Sequence, residues 1–110
     1  MIPKMLALSL EESLLEQFRL ALASSKVKAE LTIAERPVTG DFDLVFCSRE
    51  NLSSALSICP NAVVVSRLAD ESAWLEALDA GAADFCAAPF EPTQLRWLLQ
   101  SRLNQQRLAA

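Results

Sequence analysis

The chain has 110 residues, 52% of them hydrophobic, with only two Gly and five Pro; it suits one folded domain, residues 1–110, with a real core, and does not suit a disordered segment. Its net charge of −4 argues against a nucleic-acid surface, and the sequence shows neither an apolar run of transmembrane length nor the basic-then-apolar start of a signal peptide. The absence of His removes histidine-based catalysis and His metal sites, while Cys47, Cys59 and Cys86 lack CxxC spacing and read as buried thiols in a reducing cytoplasm.

Strand and helix patterns alternate along the chain. Residues 4–9 (KMLALS) form a short apolar run fit for a buried strand. Ser9 and Glu12 have the spacing of a capping box, and Leu10, Leu14, Leu15, Phe18, Ala21 and Leu22 follow at helical intervals. Val27, Ala29, Leu31 and Ile33 alternate with polar residues, which predicts a half-exposed, edge-like second strand. Residues 36–41 (RPVTGD) carry the Pro and Gly of a loop.

Residues 42–47 (FDLVFC) read as a central third strand, and Ser48 is placed to cap a short helix over 50–58 that Pro60 ends. Residues 62–65 (AVVV) are β-branched and apolar, a fourth central strand. Asp70 caps a helix to Ala80, with Gly81 as its C′ residue. A fifth strand occupies 83–87, and Pro92 opens a final helix whose Leu95, Leu99 and Leu103 make one stripe. Such alternation implies a parallel sheet with helices on both faces. The stretch 34–41 is shorter than the dozen or more residues a helical crossover between parallel strands usually needs, so the second helix is expected to be reduced or missing.

Four segments carry a family resemblance when taken in order: 43–48 (DLVFCS), 63–66 (VVVS), 77–82 (ALDAGA) and 88–90 (APF). Over the whole chain, and most strongly over 43–103, the sequence resembles a response-regulator receiver domain of the CheY-like kind. The resemblance implies a flavodoxin-like (βα)5 three-layer sandwich around a parallel five-stranded sheet. It also implies five functional positions at the carboxyl ends of the strands. The family's Mg2+-binding acid pair falls on Ser9 and Leu10, its phospho-acceptor Asp on Ser48, its hydroxyl residue on Ser66 and its Lys on Ala88. A dianionic phosphoryl group among carboxylates needs a divalent cation and a lysine to offset repulsion. Four of the five positions are lost or altered, and only Ser66 keeps its type. The reading is therefore a degenerate pseudo-receiver: not an enzyme, without a cofactor, and not phosphorylated on aspartate.

Ser48 is an N-cap or else a hydroxyl for a kinase or a small ligand; Ser9 is a cap; Ser66 satisfies backbone groups at a strand end. Arg67 is solvated surface or draws an anion into the crevice. Cys47 turns into the core, and Ala88–Pro89 is expected to be a cis bond, as the family's Lys-Pro bond often is.

On the receiver pattern Leu75 and Leu78 face the core while Trp74 points outward, with Trp97 and Leu98 on the final helix beside it. Trp74, Phe85, Trp97 and Leu98 are thus the candidate partner surface, on the last two helices (the fourth and fifth of a complete (βα)5 unit), for a protein partner, an output domain or a second copy in a homodimer. Phe85 falls at the family's aromatic switch position. The function expected is a receiver-like signalling module of two-component type that acts through protein–protein contacts in the cytoplasm, without nucleic acid or membrane. The alternative is a small-ligand or anion sensor using the crevice lined by Ser9, Ser48, Ser66 and Arg67.

Overall fold

The computed structural model describes residues 2–36, 38, 40–67, 70–88 and 90–109, with backbone only over 104–109. Five strands alternate with four helices: β1 (Lys4–Leu8), α1 (Glu12–Ser25), β2 (Glu30–Ala34), β3 (Leu44–Cys47), a 3-10 turn (Arg49–Asn51) leading into α2 (Leu52–Ile58), β4 (Ala62–Ser66), α3 (Glu71–Asp79), β5 (Asp84–Ala87) and α4 (Pro92–Ala109). All strand pairs are parallel, in the order β2-β1-β3-β4-β5. The flavodoxin-like arrangement expected from the sequence is the one found. No described residue between β2 and β3 is helical, in keeping with the reduced second helix expected from the sequence.

The three central strands are apolar because both of their faces are covered. Register sorts their side chains. Met5, Phe46, Val63 and Val65 meet Leu14 and Phe18 of α1 and Leu95, Leu99 and Leu103 of α4 in one cluster. Leu6, Leu8, Val45, Cys47 and Val64 meet Leu52 and Ala55 of α2 and Ala77 of α3 in the other. Phe18 anchors the first layer, with its ring centroid 4.5 Å from that of Phe46 and 5.8 Å, edge to face, from that of Phe90. Where the second helix is missing, Phe42 packs against the second cluster from the connecting segment.

Local signals fix several boundaries. Cys59, before Pro60, is extended (φ −154°) and ends α2, as the residue preceding a proline tends to. Asp70 accepts a hydrogen bond from the Ser72 N–H at 3.0 Å and so caps α3. Gly81, at φ +105°, closes that helix: its N–H donates to the Leu78 carbonyl and the Ala82 N–H to the Ala77 carbonyl, the paired bonds of a Schellman motif. Pro92 opens α4 as expected, but the side chain that caps its first turn is Glu91, which accepts from the N–H groups of Thr93 and Gln94 at 3.2 Å each.

Two sequence expectations are corrected. Ser9 and Glu12 form no capping box. Helix α1 starts only at Glu12, with Glu11 at the N-cap and no side-chain cap bond. Ser9 instead extends the β1–β2 ladder: its N–H donates to the Ala34 carbonyl at 2.8 Å, its hydroxyl to the Glu35 carbonyl, and its backbone turns left-handed at φ +53°. The second correction concerns α3. Leu75 and Leu78, expected in the core, are 50% and 36% exposed, and Ala77 is the buried residue of the helix. The helix turns the small side chain of Ala77 to the sheet and its large ones outward. The expected cis bond at Ala88–Pro89 lies outside the described residues.

Candidate functional site

In a 2-1-3-4-5 sheet the chain leaves β1 in one direction for β2 and in the other for β3, and a crevice opens at the carboxyl ends where these directions part. Here it encloses about 620 Å³. Ser9, Leu10 and Glu11 enter it from the end of β1, Ser48 to Asn51 from the end of β3, and Ser66 and Arg67 from the end of β4. Val64, Val65 and Phe85 lie beneath.

The structure brings four of the five sequence-derived positions into this crevice. Leu10 lines it while packing half-buried on the first core cluster. Ser48 sits at the N-cap of the 3-10 turn, but its side chain caps nothing; its oxygen accepts a hydrogen bond from the Asn51 side-chain amide at 2.8 Å. Ser66 is half-buried, and its carbonyl accepts from the Ala88 N–H at 2.8 Å. Ala88 itself does not face the crevice. It packs against the first cluster and lines a separate groove beside β5.

The crevice carries an acidic excess, and its Arg67 is already paired. Arg67 spans it to pair with the Glu11 carboxylate and to donate to the Ser13 hydroxyl, which in turn donates to Glu11 at 3.3 Å. Its guanidinium is thus matched to a carboxylate and not left for an incoming anion. Four glutamates (Glu11, Glu35, Glu50, Glu76) line the crevice against two arginines (Arg49, Arg67).

Cys47, next to Ser48, is fully buried, and burial pushes its thiol from the ordinary 9.0 up to about 11. A thiol of that kind is a poor nucleophile at neutral pH. Among the described residues no group of three or more His, Cys, Asp or Glu is arranged to hold a metal ion.

Sequence reasoning missed Ser13, Glu35, Asn51 and Glu76 as crevice or network residues. Asn51 had a local signal, its position three residues after Ser48 in a tight turn. The others had none, because the fold alone brings them there.

The candidate partner surface is divided. Trp74 is 44% exposed on α3 and Trp97 is 73% exposed on α4. Leu98, by contrast, is half-buried against the first cluster, and Phe85 is half-buried against the second. Among the described residues, no helix is long and apolar enough to cross a membrane.

No protein-family model matches the sequence, and no curated protein matches it. Solved structures do. A CheY-like response-regulator receiver domain protein from Methanospirillum hungatei superposes with a TM-score of 0.77 at 18% identity, over 100% of both chains. The fold is that of a receiver domain. The same receiver fold relates the chain to a CheY-like protein, TadZ, from Pseudomonas aeruginosa (TM-score 0.68, 19% identity, 91% of this chain and 98% of that one). It also relates it to a pilus assembly protein, CpaE, from Burkholderia thailandensis (TM-score 0.70, 20% identity, 96% of this chain and 100% of that one).

Proposed function

We propose that this chain is a pseudo-receiver: a signalling or assembly module with the receiver scaffold, which acts through protein contacts and is not switched by aspartyl phosphorylation. One observation carries the reading. The crevice that the fold preserves holds Ser48 at the end of β3 and Leu10 at the end of β1, and Ala88 after β5 faces away from it. An alcohol with no adjacent base is a weak nucleophile, and Leu10 cannot ligate a cation. The guanidinium of Arg67 already sits on Glu11. Likeness to a pilus assembly protein, besides receiver domains, widens the setting from two-component signalling to the docking of assembly components.

Incubation with acetyl phosphate and Mg2+ tests this reading. The expected result is no mass change. A stoichiometric adduct, stable in acid and labile in base, would overturn it.

The sensor reading is the weaker one for anions, since four glutamates face two arginines in the crevice. It survives for neutral or cationic small molecules, and a thermal-shift screen without ligand-dependent stabilisation removes it.

A further inference from the structure

Strand β2, with the sequence ELTIA, pairs with β1 on one side and with no strand on the other among the described residues. Its backbone groups divide between the two sides. The Glu30 N–H donates to the Pro3 carbonyl and the Ala34 carbonyl accepts from the Ser9 N–H, both at 2.8 Å, so residues 30, 32 and 34 turn their backbone groups to β1. By alternation, Leu31 and Ile33 turn theirs outward, to the open edge.

The side chains divide between the two faces of the sheet. Leu31 packs half-buried on the first core cluster, beneath α1, and Ile33 follows it on that face at 47% exposure. Ala34 packs on the second cluster, with Glu30 and Thr32 exposed on the same side. Open edges in soluble proteins are commonly guarded by Pro, by Lys or by a bulge. β2 has none of these. Its register with β1 runs unbroken through the whole strand, and Glu30, at its start, is its one charge.

We infer that β2 is the pairing edge of a homodimer, in which two copies join antiparallel about a two-fold axis at Thr32, perpendicular to the sheet, and continue one sheet through both. In that register Leu31 lies opposite Ile33 of the second copy. Each donates its N–H to the other's carbonyl, so the outward backbone groups of both strands are satisfied. The Leu31–Ile33 pairs, one on each side of the axis, join the apolar layers beneath α1 in the two copies. On the other face Thr32 meets Thr32, a favourable cross-strand pair, and Glu30 meets Ala34 instead of another acid. An axis at Ile33 would set Leu31 against Glu35, and an axis at Leu31 would set Ile33 against Ala29, beyond the strand. Around the edge, exposed Lys28, Glu30, Glu35 and Arg36 balance in sign, so the contact is locally neutral in a chain of net charge −4. So short a strand buries less than the roughly 1,200–2,000 Å² of a stable interface, and the dimer forms at high concentration and dissociates on dilution.

Sedimentation of the full chain at rising concentration tests this. A reversible monomer–dimer equilibrium is expected, tightened by salt because the copies repel at long range. Ile33→Lys adds an edge guard at an exposed position and is expected to abolish the dimer at an unchanged melting temperature. Thr32→Cys puts two thiols at the axis with Cα atoms about 4.5 Å apart, within disulfide reach, and oxidised glutathione is expected to give a covalent dimer. Glu30→Cys, facing Ala34, is expected to give none in the same time. The parent chain, with Cys47 and Cys59 buried and Cys86 half-buried, is the control.

A monomer at every concentration overturns the inference. So does a dimer that Ile33→Lys leaves intact, or equal cross-linking through positions 30 and 32. The edge lies apart from the crevice. An acetyl phosphate adduct would remove the pseudo-receiver reading and leave this dimer standing, whereas a monomer removes the dimer alone.

Discussion

Arg67 and Glu11, 56 positions apart in sequence, pair across the crevice and tie the loop after β4 to the start of α1. Both side chains are at least half exposed, so the pair is screened by water and by salt. Arg67→Ala is expected to lower stability by about 0–1 kcal/mol, with the loss shrinking as salt rises. Urea unfolding of both proteins at low and high salt measures it; a loss several times larger, insensitive to salt, would show that the arginine holds the crevice together by packing.

Phe18 is a larger matter. It is fully buried and touches rings on both β3 and the segment before α4. Phe18→Ala leaves a cavity at that junction, at a cost of about 3–5 kcal/mol. Since a domain of this size has only about 5–15 kcal/mol to lose, the variant is expected to melt far below the parent when followed by circular dichroism.

Gly81 turns the chain at φ +105° between α3 and β5, and a Cβ built there would lie 3.2 Å from Leu56 Cδ1. Gly81→Ala therefore meets backbone strain and a tight contact with α2 together. The expected cost is more than about 1 kcal/mol, read as a drop of several degrees in melting temperature.

Two thiols, Cys47 buried and Cys86 half-buried, make stability depend on alkaline pH. Burial raises Cys47 from 9.0 to about 11, and burial with the nearby Asp84 charge raises Cys86 to about the same value. The unfolded chain releases these protons at lower pH than the folded one. Their contribution is thus fully present below pH 9.0 and is lost as pH rises toward about 11. Chemical denaturation across that window is expected to show falling stability, and Cys47→Ser or Cys47→Ala to flatten the fall. At neutral pH the folded protein should react with a thiol reagent far more slowly than the unfolded chain.

The sheet was readable from the sequence because runs such as 62–65 (AVVV) have one good use, a strand covered on both faces. The missing second helix was readable from chain length alone. Ser9 was misread because Ser and Glu three apart mimic a capping box, and only the β1–β2 register shows the Ser9 N–H already committed to Ala34. Helix α3 was misread for a deeper reason. Periodicity finds an apolar face and assigns it inward, but in the fold α3 turns Ala77 to the sheet and leaves Leu75 and Leu78 partly in water. The Arg67–Glu11 pair and the approach of Glu35 and Glu76 to the crevice leave no local trace. They exist only once the chain is folded.

The outward placement of Trp74, Leu75 and Leu78 has a consequence for how the molecule can diverge. Exchanging a buried Leu opens a cavity, but exchanging a side chain that is already half in water changes stability little. Descendants of this chain can rewrite that helix face and meet different partners while Ala77 keeps the scaffold unchanged. Recognition and folding are then inherited on separate residues.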